Sequence, residues 1–180
     1  MAGDPSKASL WADADVYIAD DLDTDNPTDI DEPFGTGWGL AGLLDGEAGF
    51  EEGREEDKTD HYAWGGILIR TSRKNFKMTK KFIALEDNPV VRGLIYPGST
   101  HSTIVVPRHG PKKVAFEVRD GARKERLITR RHAIVDTIGT IKDGEDELKK
   151  YETTLGIFPD GSGVLFDRQT TDPDPDAGTP

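Results

Sequence analysis

The chain has 180 residues, 34 acidic and 23 basic side chains, a formal charge of −11 and no cysteine. That length suffices for one domain with a proper core. The missing cysteine excludes disulfides, thiolate zinc sites and a thiol nucleophile, and no apolar run approaches the roughly 20 residues of a membrane helix.

The charge is segregated along the chain. Residues 1–62 carry a net −15, residues 63–131 a net +11 and residues 132–180 a net −7. Blocks of opposite sign either attract other copies of the chain or face each other within one fold.

Residues 1–35 read as an acidic, extended N-terminal arm, because their one short apolar run, Val16 to Ile18, cannot build a core alone. The start, MAGDPSKASLWADAD, lacks the basic and apolar regions of a secretory signal, so use in the cytosol, or in a particle assembled there, is expected. Within the arm, Asp21, Asp23, Asp25, Asp29 and Glu32 fall at positions 1, 3, 5, 9 and 12 of a calcium-binding EF-hand loop. The context departs from that motif. Asn26 stands where the sharp turn needs glycine, Thr28 where an apolar residue is usual, and Pro33 biases Glu32 away from helix. An acidic segment without a dedicated metal is therefore the expectation, with a calcium site as its rival.

Residues 36–167 read as the folded, mostly β core. Strands are expected over 67–71, over 75–86, at Thr103–Val106, over 114–118, over 127–141, and at Tyr151–Phe158 and Val164–Phe166. The last two flank Pro159-Asp160-Gly161, a hairpin-type turn. In the strand over 75–86, the alternation turns Phe76 and Phe82 inward and Lys77 and Lys81 outward. A short helix is expected over about 88–96. Asn88 is its N-cap, Pro89 its first residue, and Val91, Leu94 and Ile95 its apolar face. The predicted architecture is a β-sandwich or barrel with this helix packed on the sheet. Residues 168–180, RQTTDPDPDAGTP, read as a flexible acidic, Pro-rich tail.

No catalytic constellation emerges. His61, His101, His109 and His132 form no i, i+4 zinc pair, no G-x-S-x-G elbow is present, and GTGWGLAGLLDG (35–46) has no dinucleotide register or Walker lysine. No catalytic, cofactor-binding or metal-ligating residue is assigned. Arg70, Arg73, Lys74, Lys77, Lys80 and Lys81 interleave with aromatics as in single-strand grooves, but a solvated or partner-facing strand is the simpler reading. Trp11, Trp38 and Trp64 serve either core or subunit contacts.

The order of features from Trp38 onward resembles the major tail tube proteins of long, non-contractile-tailed bacteriophages. The matching features are Trp38 to Leu43, the Gly49-Phe50 turn, the acidic strand Glu51 to Asp57, Ala63-Trp64-Gly65, and the strand Ile67 to Thr71. They continue with FKMTKKFIALEDNPVVRGLIYPG (76–98), the strand over 127–141, an acidic turn at 143–147 and YETTLGIFPDGSGVLF (151–166). The resemblance covers about 36–167 and implies a structural, non-enzymatic subunit of the virion tail, assembled in the host cytoplasm. Such subunits form hexameric rings that stack into a tube. They contact other tail proteins, such as the tape measure and tail-end proteins, and let DNA pass without adhering; neither membrane nor cofactor is implied. Rival readings are another phage structural protein of similar fold (tail terminator, head–tail joining or decoration protein) and a calcium-dependent β-sandwich binding module.

Overall fold

The computed structural model describes residues 8–172. In chain order the elements are β1 (Asp13–Ala19), β2 (Gly39–Leu40), β3 (Glu51–Tyr62), β4 (Leu68–Ala84), α1 (Pro89–Ile95), β5 (Lys113–Asp120), β6 (Arg123–Thr129), β7 (His132–Ile138), β8 (Tyr151–Phe158) and β9 (Phe166–Thr170). They form two antiparallel sheets, ordered β2-β1-β5-β6-β9 and β3-β4-β8-β7. The expected sandwich is the fold.

Alternation in the strands builds the core between the sheets. Val16, Ile18, Val114 and Phe116 face inward from one sheet, and Met78, Phe82, Leu155 and Ile157 from the other. Each fully buried side chain of this size contributes about 1.5–3 kcal/mol. Helix α1 adds Val91, Leu94 and Ile95 to the same cluster. Its cap is the expected one: Asn88 Oδ1 accepts from the Val90 and Val91 amides, at 3.0 Å each, a device worth about 1 kcal/mol. The same Asn88 donates to the Ala41 carbonyl at 3.0 Å, and Glu86 accepts from the Leu43 amide at 2.9 Å. Gly42 lies beneath these groups at φ +83°, where a Cβ would meet the Glu86 carboxylate at 2.3 Å.

Several expected elements fall differently. The strands expected at 67–71 and 75–86 are one strand, β4, carried through a bulge at Asn75, which holds φ 56°. The run over 127–141 is two strands, β6 and β7, and they lie in different sheets. The expected Tyr151–Phe158 hairpin likewise crosses between sheets, since β8 pairs with β4 and β7 while β9 pairs with β6. Thr103–Val106 forms no strand. No neighbouring strand pairs with it, and its local bonds are a turn, with Thr100 N donating to Thr103 O and Val105 N to Ser99 Oγ.

The largest correction concerns the boundaries of the folded core. It was expected over 36–167, yet β1 lies between β2 and β5, with Val16 at 0% exposure. Residues 20–38 then cross the outer face of the five-stranded sheet. Tyr17 stacks on Phe34 with centroids 4.0 Å apart, Phe34 packs on Trp38 at 4.9 Å, and Ala19, Trp38, Ala115 and Ile128 form a second buried cluster there. At the other end, β9 runs to Thr170, and Asp172 pairs with Arg123 at 2.6 Å. Only residues 1–7 and 173–180 of the expected arms lie outside the described residues.

Three cations, Arg126 and Lys113 buried and Lys124 half-buried, fix the acidic segment in place. Arg126, 3% exposed, donates to Glu117 Oε2 at 2.7 Å, to the Asp29 and Glu32 carbonyls at 3.1 and 3.2 Å, and to Gln169 Oε1 at 3.0 Å. Lys113 donates to the Thr24 carbonyl at 2.6 Å, and Lys124 reaches Asp31 at 2.8 Å. Removing one member of a buried ion pair strands the other without solvent. Arg126→Ala should therefore cost about 3–5 kcal/mol in chemical denaturation and make residues 20–35 cleavable by protease; a loss below about 1 kcal/mol would contradict this role.

Several carboxylates of this region also tie stability to pH. Hydrogen bonds hold the acids below their ordinary values: from Lys124 for Asp31, from the Thr28 amide for Glu32, from Arg119 for Asp13 and from Arg123 for Asp172. Since the folded values lie below the unfolded ones, this stabilisation is present above the unfolded values near 4 and is lost as pH falls through the folded ones. Thermal melting should be nearly flat between about pH 7 and 5 and should drop below about pH 4, with hydrogen exchange rising first over residues 20–35.

Candidate assembly surfaces

Strand β3 and the first half of β4 form a two-stranded ribbon that leaves the sandwich. Every residue of β3 is exposed, and β4 becomes buried only from Met78 onward. The cause is compositional. β3 reads EEGREEDKTDHY, with no apolar residue before Tyr62, so neither of its faces has anything to bury. Cross-strand pairs hold it instead: Glu55 opposite Lys77, Asp57 opposite Lys74, and Thr71 Oγ1 donating to Asp60 at 2.6 Å. Each such pair contributes about 0.2–1 kcal/mol. At the bulge, Asn75 Nδ2 donates to Asp57 at 2.8 Å. There Phe76, expected in the core, is half exposed, because the other sheet does not extend over this part of β4.

The ribbon ends in an apolar tip. Ala63 N donates to Ile67 O at 2.8 Å, and Gly65 and Gly66 take φ 89° and 80° in the turn. Trp64 is 101% exposed, and Tyr62, Ile67, Leu68 and Ile69 are exposed around it. Clustered apolar exposure of this kind marks a contact surface rather than ordinary scatter. Of the two readings for Trp64, its position excludes core packing. Trp38 is buried, and Trp11 is half-buried under the Arg123 guanidinium, 4.7 Å from its ring.

The four-stranded sheet offers two further surfaces. Its outermost strands, β3 and β7, each have one side without a partner strand, and on β7 that side is closed at Ala133, which exchanges bonds of 2.8 and 2.9 Å with Lys112. Its outward face carries Lys77 and Lys81, as the alternation predicted. Lys77 pairs with Asp136 at 3.0 Å and Lys81 with Glu51 at 2.8 Å, and these bonds raise both lysine pKa values. His132, at the start of β7, stacks on Phe158 at 4.8 Å. Burial, aided by the Arg131 charge, lowers its pKa, so it is neutral at pH 7.

The other sequence-derived sites disperse. His61 sits on the ribbon, 3.1 Å from Ser72 Oγ, and His101 and His109 lie in the loop between α1 and β5. The carboxylates of the EF-hand register do not converge. Asp21 Oδ1 accepts from the Asp23 amide, Asp29 Oδ1 from the Asp31 and Glu32 amides, and Glu32 Oε2 from Thr28. Among the described residues, no group of three or more acids, histidines or cysteines is placed to hold a metal. The resemblance placed an acidic strand at Glu51 to Asp57 and an outgoing strand after Ala63-Trp64-Gly65, but their pairing into an exposed ribbon was not expected. No protein-family model matches the chain, and a search of curated proteins gives no match.

The turn role of these carboxylates has a direct test. Added calcium should leave the melting temperature of the protein unchanged, and Asp21→Ala should behave as the parent. A stoichiometric site in titration calorimetry that Asp21→Ala removes would restore the metal reading.

Proposed function

We propose that this chain is a structural subunit that polymerises, acting as the tail tube subunit of a long, non-contractile-tailed phage. The observation that carries the reading is the charged ribbon holding a fully exposed Trp64 away from the core. An isolated domain gains nothing from such a tip, whereas a neighbouring copy can bury it.

Two features support the assembly. The open edges of β3 and β7 differ in chemistry: β3 is acidic, and β7 follows Arg130-Arg131. Pairing β3 of one copy with β7 of the next is a head-to-tail contact, and such contacts give rings when the rotation closes. The outward face between those edges suits a lumen, because both of its lysines are ion-paired and each free cation facing a phosphate backbone would add affinity.

Sedimentation velocity over a concentration series tests the reading. The parent chain should form large assemblies. Trp64→Ser should sediment as the 19.8 kDa monomer while keeping its stability to within about 0.5 kcal/mol, as an exposed substitution does. Equal assembly of parent and variant would refute the role of the tip.

A further inference from the structure

The ribbon tip is apolar on both of its faces. Tyr62 stands opposite Leu68 on one face, and Ile69, the next residue of β4, points to the other. Leu68 and Ile69 are 51% and 69% exposed, with Ile67 beside them and Trp64 leading in the turn. A flat protein surface covers one face of a ribbon and leaves the other in water, whereas a lipid interface surrounds both.

Behind the tip the ribbon carries free cations. From His61 to Leu85 the sequence has no acid. Among the described residues, Lys58, Arg70 and Lys74 form no ion pair, while Arg73 is held by Glu56 at 3.1 Å. Arg70, the cation nearest the tip, stands opposite His61, and Lys58 stands opposite Arg73. Two acids share this stretch. Asp60 accepts from Thr71 Oγ1, and Asp57, opposite Lys74, accepts from Asn75 Nδ2.

We infer that the ribbon tip is a lipid-binding element that seats Trp64 and its apolar neighbours in the interface of a membrane with anionic headgroups. This partner is not one that the tail tube resemblance implies. The inference goes beyond the assembly reading and stands without it, because the tip is uncovered before assembly and on any copy that no further copy follows. Trp and Tyr join an apolar body to a polar handle and collect at membrane–water interfaces. From Tyr62 to the turn is about 10 Å of extended chain. That passes the headgroups but falls far short of the roughly 30 Å hydrocarbon core, so the tip lies in the interface and does not span. Backbone groups leaving water need partners, and the turn closes on its own bonds, from Ala63 N to Ile67 O at 2.8 Å and from Gly66 N to Ala63 O at 3.1 Å. Arg70 then stands at headgroup level, where a cation is attracted to anionic lipid. The stem keeps the acidic body away. From Arg54, opposite the first buried residue of β4, to Tyr62 is about 26 Å of strand. That is several times the screening length of about 8 Å at physiological salt, so the net charge of −11 does not oppose the contact.

Quenching by brominated lipids tests this on the full chain, kept dilute enough to sediment as a monomer. Vesicles of phosphatidylcholine and phosphatidylglycerol with brominated acyl chains should quench the tryptophan fluorescence of the parent. They should leave Trp64→Ser unquenched, since Trp38 is buried and Trp11 half-buried in the sandwich. Arg70→Glu should lower partitioning by about ten-fold or more, and vesicles of phosphatidylcholine alone should bind more weakly. Both substitutions fall on exposed residues and should leave the melting temperature unchanged. No quenching of the parent, or equal quenching of Trp64→Ser, would overturn the lipid role, and assemblies that form all the same would leave the assembly reading standing. Equal binding to neutral vesicles would overturn the role of the cations. Quenching of a parent that never assembles would remove the assembly reading and keep the lipid one.

Discussion

A guanidinium taken out of water must find acceptors, and Arg126 finds four. Glu117 beside it supplies charge, Gln169 an amide oxygen, and the backbone of the acidic segment two carbonyls. That need binds residues 20–35 to the sheet, alongside the aromatic stack of Tyr17, Phe34 and Trp38. It decides which face of the sandwich is covered. A two-sheet sandwich has two outer faces, and here one is sealed by the chain's own acidic segment. The proposed assembly therefore draws on the four-stranded sheet, its edges and the ribbon that grows from it.

The ribbon shows the complementary logic. Where a strand has apolar side chains on one face, it is drawn onto a core; β3 has none, so it stands off. Its charges serve β4 across the ladder, and its twelve residues carry Trp64 beyond the sandwich. A charged stem with an apolar head is stable in water as a stem, and it gains burial only when the head meets another surface. The paired lysines of the outward face follow the same economy of charge, because their ammonium groups already have partners within the chain.

The sequence made legible whatever depends on near neighbours. The β class followed from alternation, helix α1 from Asn88-Pro89 and its spaced apolar residues, and the outward parity of Lys77 and Lys81 from the two-residue repeat. The misread boundaries, strand and burial depend on distant partners, whereas the rival EF-hand reading fails on local bonds. Asp29 and Glu32 meet Arg126 across 97 and 94 positions, so a segment too polar to fold alone becomes part of the fold. The EF-hand register was present in spacing, but its carboxylates turn toward nearby backbone amides. Thr103–Val106 has the composition of a strand without a neighbour to pair with, and Phe76 has core parity in a stretch of β4 that no second sheet covers. The tail tube resemblance supplied the functional expectation, and the exposed tip and open edges are what the proposed assembly builds on.

Negative-stain electron microscopy of the concentrated full chain tests the central claim most directly. The account predicts stacked rings or tubes of uniform width, formed with or without calcium. Dispersed monomers at every concentration would contradict it.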